Sequence, residues 1–160
     1  MLASPNSSRS SNGTRRPSTA RYPINLKGPY FLIQALLPIL ANPASIVLNT
    51  SINASIGDPT SSVYALTKGG LLTLARTLSG ELIARGIRVN AVSPGPIATP
   101  LYGKLGMTES DTQAMALARI PAGRFGRPSE VAKTVVFLAS DEASYFVGSE
   151  FTIDGGMSTL

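Results

Sequence analysis

Residues 45–96, SIVLNTSINASIGDPTSSVYALTKGGLLTLARTLSGELIARGIRVNAVSPGP, carry the reading that decides the fold. Ser45–Asn49 (SIVLN) is a short β-branched run bounded by turn residues, the pattern of a buried strand. A loop through Gly57 and Pro59 follows. Ser61–Arg85 then sets Leu71, Leu74, Leu78 and Leu82 at helical spacing, with Gly86 placed to cap the helix. Ile87–Val92 (IRVNAV) predicts a second strand, and Ser93–Pro96 a turn. Strands separated by helices in this rhythm imply a parallel sheet built from βαβ units, an α/β fold.

The flanks extend this pattern. Leu26–Leu40 (LKGPYFLIQALLPIL) is apolar around most of its circumference, as in a helix buried on more than one side, and Pro38 ends or bends it. Residues 99–127 have weak periodicity, with one short helix at Glu109–Ala118. Pro128 opens a helix through Leu138, and Phe151–Asp154 is a last strand before Gly155 and Gly156. Residues 1–22 are rich in Ser, Arg, Asn and Pro and show no periodicity, which predicts a disordered head before a domain at 23–160. An organelle transit peptide, a wrong start codon or a shifted frame are other readings of such a head.

Composition narrows the chemistry. A chain of 160 residues supports one domain, and 43% hydrophobic content is a globular value. No run of 18 apolar residues occurs, so no membrane span and a cytoplasmic location are expected. Cysteine and histidine are both absent, which removes disulfides, thiolate nucleophiles, Ser-His-Asp mechanisms and the commonest metal ligand. No metal site is expected. The formal charge is +5, but Arg9, Arg15, Arg16 and Arg21 lie in an acid-free head, while the body carries ten Lys/Arg against nine Asp/Glu. Basic character confined to a head does not make a nucleic-acid-binding face.

Within this frame Tyr64 and Lys68 are four residues apart, and Ser51 lies thirteen residues before the tyrosine. On a helix, positions i and i+4 share a face, so a phenol and an ammonium can meet one bound molecule. A free phenol titrates near ~10, and an adjacent cation favours its ionised form. A hydroxyl such as that of Ser51 can hold a substrate oxygen beside the pair. The chemistry that fits is proton transfer at an alcohol or carbonyl oxygen. Taken singly, these residues have plainer readings: Asn25 as a helix cap, Ser51 as a strand-end hydroxyl, Pro94 and Gly95 as an ordinary turn.

Together, several spaced motifs from about Ile24 to Leu160 resemble the classical short-chain dehydrogenases/reductases. They are Asn25-Leu-Lys-Gly, then Ser51, Tyr64 and Lys68, then Arg88–Gly95 (RVNAVSPG) with Ile97 and Thr99, and finally Gly126–Glu130, Phe137–Ser140 and Ile153–Gly156. The resemblance implies a Rossmann-like doubly wound parallel sheet and alcohol–carbonyl interconversion with NAD or NADP. It implies that Tyr64 is the general acid or base, that Lys68 favours the phenolate and binds the nicotinamide ribose, and that Ser51 orients the substrate oxygen. By the same resemblance, Asn25 holds a water in a proton relay, and Pro94, Gly95, Ile97 and Thr99 contact the nicotinamide end.

One departure matters. No Gly-x-x-x-Gly-x-Gly turn is present, nor an Asn-Asn-Ala-Gly strand end. The sequence therefore predicts the last three strands of the family sheet and their helices, with only the nicotinamide end of the cofactor site. An open strand edge and a partly uncovered helix follow, and with them self-association through helices 26–40 and 61–85. The alternative to an enzyme is a non-catalytic fragment that dimerises or joins a full-length relative.

Overall fold

Among the described residues three strands form one parallel sheet in the order β1-β2-β3. They are β1 (Ala44–Asn49), β2 (Ile87–Pro94) and β3 (Glu150–Ile153). Ala44 pairs with Ile87 at one end of the first ladder and Asn49 with Val92 at the other, while Ala91 to Pro94 pair with Glu150 to Ile153. The computed structural model describes residues 21–160, so the expectations for residues 1–20 fall outside the described residues.

Among the described residues five α-helices accompany the sheet: α1 (Gly28–Leu36), α2 (Ser62–Leu82), α3 (Leu101–Lys104), α4 (Glu109–Arg119) and α5 (Pro128–Ala139). A π-helical turn, Pro23–Lys27, leads into α1, and a 3-10 turn, Ile83–Arg85, closes α2. Gly86 then takes φ 71°, the left-handed conformation that ends the helix.

Alternation along the strands makes the two layers. Ile87, Val89 and Ala91 of β2 pack with Leu48 of β1 against Leu71, Leu72, Ala75, Leu78 and Leu82 of α2, with Ile33 of α1 beside them. Val92 faces the other way and meets Leu138 of α5, with Val47, Phe151 and Ile153 around it. A strand covered on both faces must bury even its polar residues, and β2 does so. Its Arg88 donates to the carbonyls of Leu138 (3.2 Å) and Ser140 (3.0 Å) at the end of α5. Asn90, fully buried, donates to Phe146 O (2.8 Å) and accepts from Ser149 N (2.9 Å). No buried side-chain donor or acceptor among the described residues lacks a partner.

Several expectations shift. β2 runs on to Pro94, through residues read as a turn, because β3 pairs with its C-terminal half. The short α3 falls in a segment whose periodicity was too weak to predict it. Arg21 and Tyr22, grouped with the head on composition, are already helical. The helix expected at Leu26–Leu40 stops at Leu36, two residues before Pro38, and is not buried on more than one side. Only Ile33 of α1 is buried, while Phe31 and Leu32 are 49% and 60% exposed. The reason is positional: α1 and β1 line a common groove, and among the described residues β1 pairs with β2 alone, leaving its other edge open. No helix among the described residues is long and apolar enough to cross a membrane.

Candidate active site

The C-terminal ends of β1 and β2 open into a cleft of about 760 Å³. A parallel sheet places ligand sites at this end, where strands hand over to helices. Asn25, Ser51, Tyr64, Lys68, Pro94, Gly95, Ile97 and Thr99 all line it, so every site residue predicted from the sequence is brought to one cavity.

Each side chain is set by its local structure. Ser51, two residues past β1, is in extended conformation and caps a 3-10 turn, its Oγ accepting from Asn53 N at 3.2 Å. Among the described residues its own proton has no acceptor, which leaves it free to donate into the cleft. Thr50 anchors this strand end, with N–H and Oγ1 both donating to Val92 O at 2.8 Å and Oγ1 also bonded to Ser93 Oγ. Tyr64 and Lys68 lie in the first two turns of α2, both partly buried. The ammonium sits 5.7 Å from the Tyr64 ring centroid and donates to Asn49 O at 2.7 Å. Burial holds Lys68 below the usual ammonium range, since a charge there is short of water.

Asn25 does not cap a helix. It sits within the π-helical turn, and its Nδ2 donates to the buried Thr67 Oγ1 at 3.2 Å, while that hydroxyl donates to Tyr64 O at 2.8 Å. Opposite α2, Gly95 donates its N–H to Ile153 O at 3.0 Å. The far wall comes from α3 and α4, where Tyr102 packs on Phe125 with ring centroids 4.8 Å apart. Burial first, and then the nearby Tyr64, push the Tyr102 phenol above its ordinary range. Among the described residues no group of three His, Cys, Asp or Glu is placed to hold a metal ion.

The family model described as enoyl-(acyl carrier protein) reductase matches residues 5–158. The structure is similar, with a TM-score of 0.78 and 30% identity, to a short chain dehydrogenase family protein from Francisella tularensis, covering 86% of this chain and 60% of that one. The chain belongs to the short-chain dehydrogenase/reductase family.

Curated relatives in this family include a 3-oxoacyl-(acyl-carrier-protein) reductase of Thermotoga maritima, 44% identical over 136 residues, covering 84% of this chain and 54% of the relative. Another is 2-(S)-hydroxypropyl-CoM dehydrogenase 3 of Xanthobacter autotrophicus, 36% identical over 142 residues, covering 86% of this chain and 56% of that one. The chain thus spans about half the length of the curated relatives it matches.

Sequence reasoning missed three contributors to this short-chain dehydrogenase/reductase cleft. Asn49 holds Lys68 through its backbone carbonyl, which any residue possesses, so no side-chain signal existed. Thr67 was one more polar helix residue until the fold put Asn25 beside it, 42 positions away. Asp58 looked like part of a Gly-Asp-Pro turn, yet it lines the cleft with Arg119.

Proposed function

We propose that this chain carries the proton-transfer half of an NAD- or NADP-dependent oxidoreductase that interconverts an alcohol and a carbonyl. The observation that carries the reading is the convergence of Ser51, Tyr64 and Lys68 with the 94–99 turn on one cleft, Lys68 being held by Asn49 O beside the Tyr64 ring. Residues 23–160 form the C-terminal part of a family domain in this reading.

In reduction, Tyr64 gives its phenolic proton to the substrate oxygen, and in oxidation it takes that proton back. Ser51 donates its free hydroxyl proton to the same oxygen, holding it against the phenol. Lys68 keeps positive charge next to the ring, which favours the phenolate left after transfer. Asn25 lines the cleft with its side chain bonded to Thr67, and in this reading it would hold the water of a proton relay to Tyr64. The donor set suits the nicotinamide-ribose end of the cofactor, which Tyr64, Lys68, Pro94, Gly95, Ile97 and Thr99 would hold. When bound, that cofactor supplies or accepts the hydride. The substrate is a small-molecule alcohol or carbonyl compound, and a cytoplasmic setting suits the cofactor.

Titration of the purified chain with NADH and with NADPH tests this. Saturable binding that Tyr64→Phe with Lys68→Ala abolishes supports the enzyme, and Tyr64→Phe alone lowers turnover at least ~100-fold if the phenol is the acid-base group. A folded chain that binds neither nucleotide sinks catalysis by this chain alone. A second reading, a non-catalytic chain that pairs with itself or with a full-length relative, is favoured by the apolar side chains that α1 leaves in solvent.

A further inference from the structure

We propose that Asp58 is a positioning residue of the site, joining the segment behind Ser51, the start of α2 and the end of α4 into one unit. The proposal rests on the oxidoreductase reading for what those segments do. Asp58 Oδ2 accepts from Ser61 Oγ at 2.9 Å and from Asn53 Nδ2 at 3.3 Å, and Oδ1 accepts from Arg119 at 3.4 Å. Each donor stands at a strategic place. Asn53 also donates its backbone N–H to Ser51 Oγ, so one residue touches the hydroxyl and the carboxylate together. Ser61 directly precedes α2, and its carbonyl accepts the first helical bond, from Ala65 N at 2.8 Å, one residue past Tyr64. Arg119 is the last residue of α4, the helix that closes the far wall.

Only an ionised carboxylate accepts from three donors at both of its oxygens, since an amide offers one accepting end. The hydrogen bond from Ser61 is the first reason that Asp58 stays below the usual carboxylate range, so the carboxylate is charged at neutral pH. A second feature points the same way. Thr60, between Asp58 and Ser61, has φ 70°, a left-handed conformation that a β-branched residue avoids. A strained residue persists where neighbours over-determine it, and here Asp58 and Ser61 grip it from both sides. The ion pair to Arg119 is partly exposed, with side chains 27% and 46% accessible for Asp58 and Arg119, and so is the weakest of the three links.

Hydrogen exchange by mass spectrometry on the whole chain, with Asp58→Ala, Asp58→Asn and Arg119→Ala, separates the links. Asp58→Ala is expected to speed exchange about tenfold at amides 54–56 and 65–68, the scale of losing hydrogen bonds to a charged group. It speeds the 101–119 segment a few-fold, the scale of a partly exposed ion pair, and leaves β2 unchanged. Asp58→Asn keeps an acceptor for Ser61, so it loosens only 101–119, as Arg119→Ala does. If the wild type turns over, Asp58→Ala lowers kcat about tenfold, while Asp58→Asn and Arg119→Ala raise the substrate KM and spare kcat. Unchanged exchange in Asp58→Ala overturns the proposal, and so does loosening of β2 by the same factor, which marks general destabilisation. A wild type without turnover speaks against the oxidoreductase reading alone, because the exchange pattern still decides the role of Asp58.

Discussion

Gly95 illustrates how much one atom decides at the rim of the cleft. A Cβ built there would lie 2.7 Å from Asp154 Cβ and 2.9 Å from its Cα, distances at which the backbone itself must move. Gly95→Ala is therefore expected to lower stability by about 1–3 kcal/mol, the range for overpacking, readable as a fall in thermal midpoint. On the oxidoreductase reading it should also weaken nicotinamide nucleotide binding, measured by titration, because Gly95 lines the cleft. Contacts set by local spacing were legible beforehand: Tyr64 and Lys68 are one helical turn apart whatever the rest of the chain does. Contacts with a distant partner were not. Asn25 meets Thr67 across 42 positions and Asp58 meets Arg119 across 61, and no spacing rule connects them.

The elements follow from capping as much as from periodicity. Gly86 closes α2 at φ 71°, with Pro43 Cβ 3.2 Å from where a Cβ would sit. Gly86→Ala should cost about 1–2 kcal/mol in chemical denaturation, the penalty of a left-handed non-glycine residue. At the start of α5, Glu130 accepts from Arg124 at 2.8 and 2.9 Å and from Arg127 N at 2.6 Å. These bonds, that of Arg124 first, hold its carboxyl at about 2 against an ordinary 4.5. A carboxylate with a depressed folded-state value contributes stability that is full above 4.5 and is lost as pH falls through about 2. Glu130→Gln should accordingly flatten the fall of thermal midpoint across that acid window and show its largest deficit at neutral pH. Long helices such as α2 were legible because many leucines repeat one signal. The four-residue α3 carries too few positions to show a period. The extension of β2 to Pro94 came from pairing with β3, which no local residue encodes.

At the scale of the whole molecule, the edge of β1 that no described strand pairs and the apolar surface of α1 are the dominant features. Tyr30, Phe31 and Leu32 on α1 and Leu66 on α2 are 44%, 49%, 60% and 66% exposed. A groove of about 630 Å³ runs between these helices, lined by Leu26, Tyr30, Phe31 and Leu74 among others. Apolar area of this kind drives association. Light scattering across a concentration series should show self-association, and Phe31→Glu with Leu66→Glu should shift the chain towards monomer. A wild type that stays monomeric throughout would exclude these helices as an interface. The sequence alone determined the βαβ rhythm and the Tyr64–Lys68 pair, because each rests on residues near one another in the chain, and it determined the family through motifs kept in order from Asn25 to Gly156. Tertiary structure alone decided that Asn49 holds Lys68 and that Asp58 joins three segments. The physical reason is that a backbone carbonyl and a carboxylate look the same in any sequence, and acquire a role only from what folding sets against them.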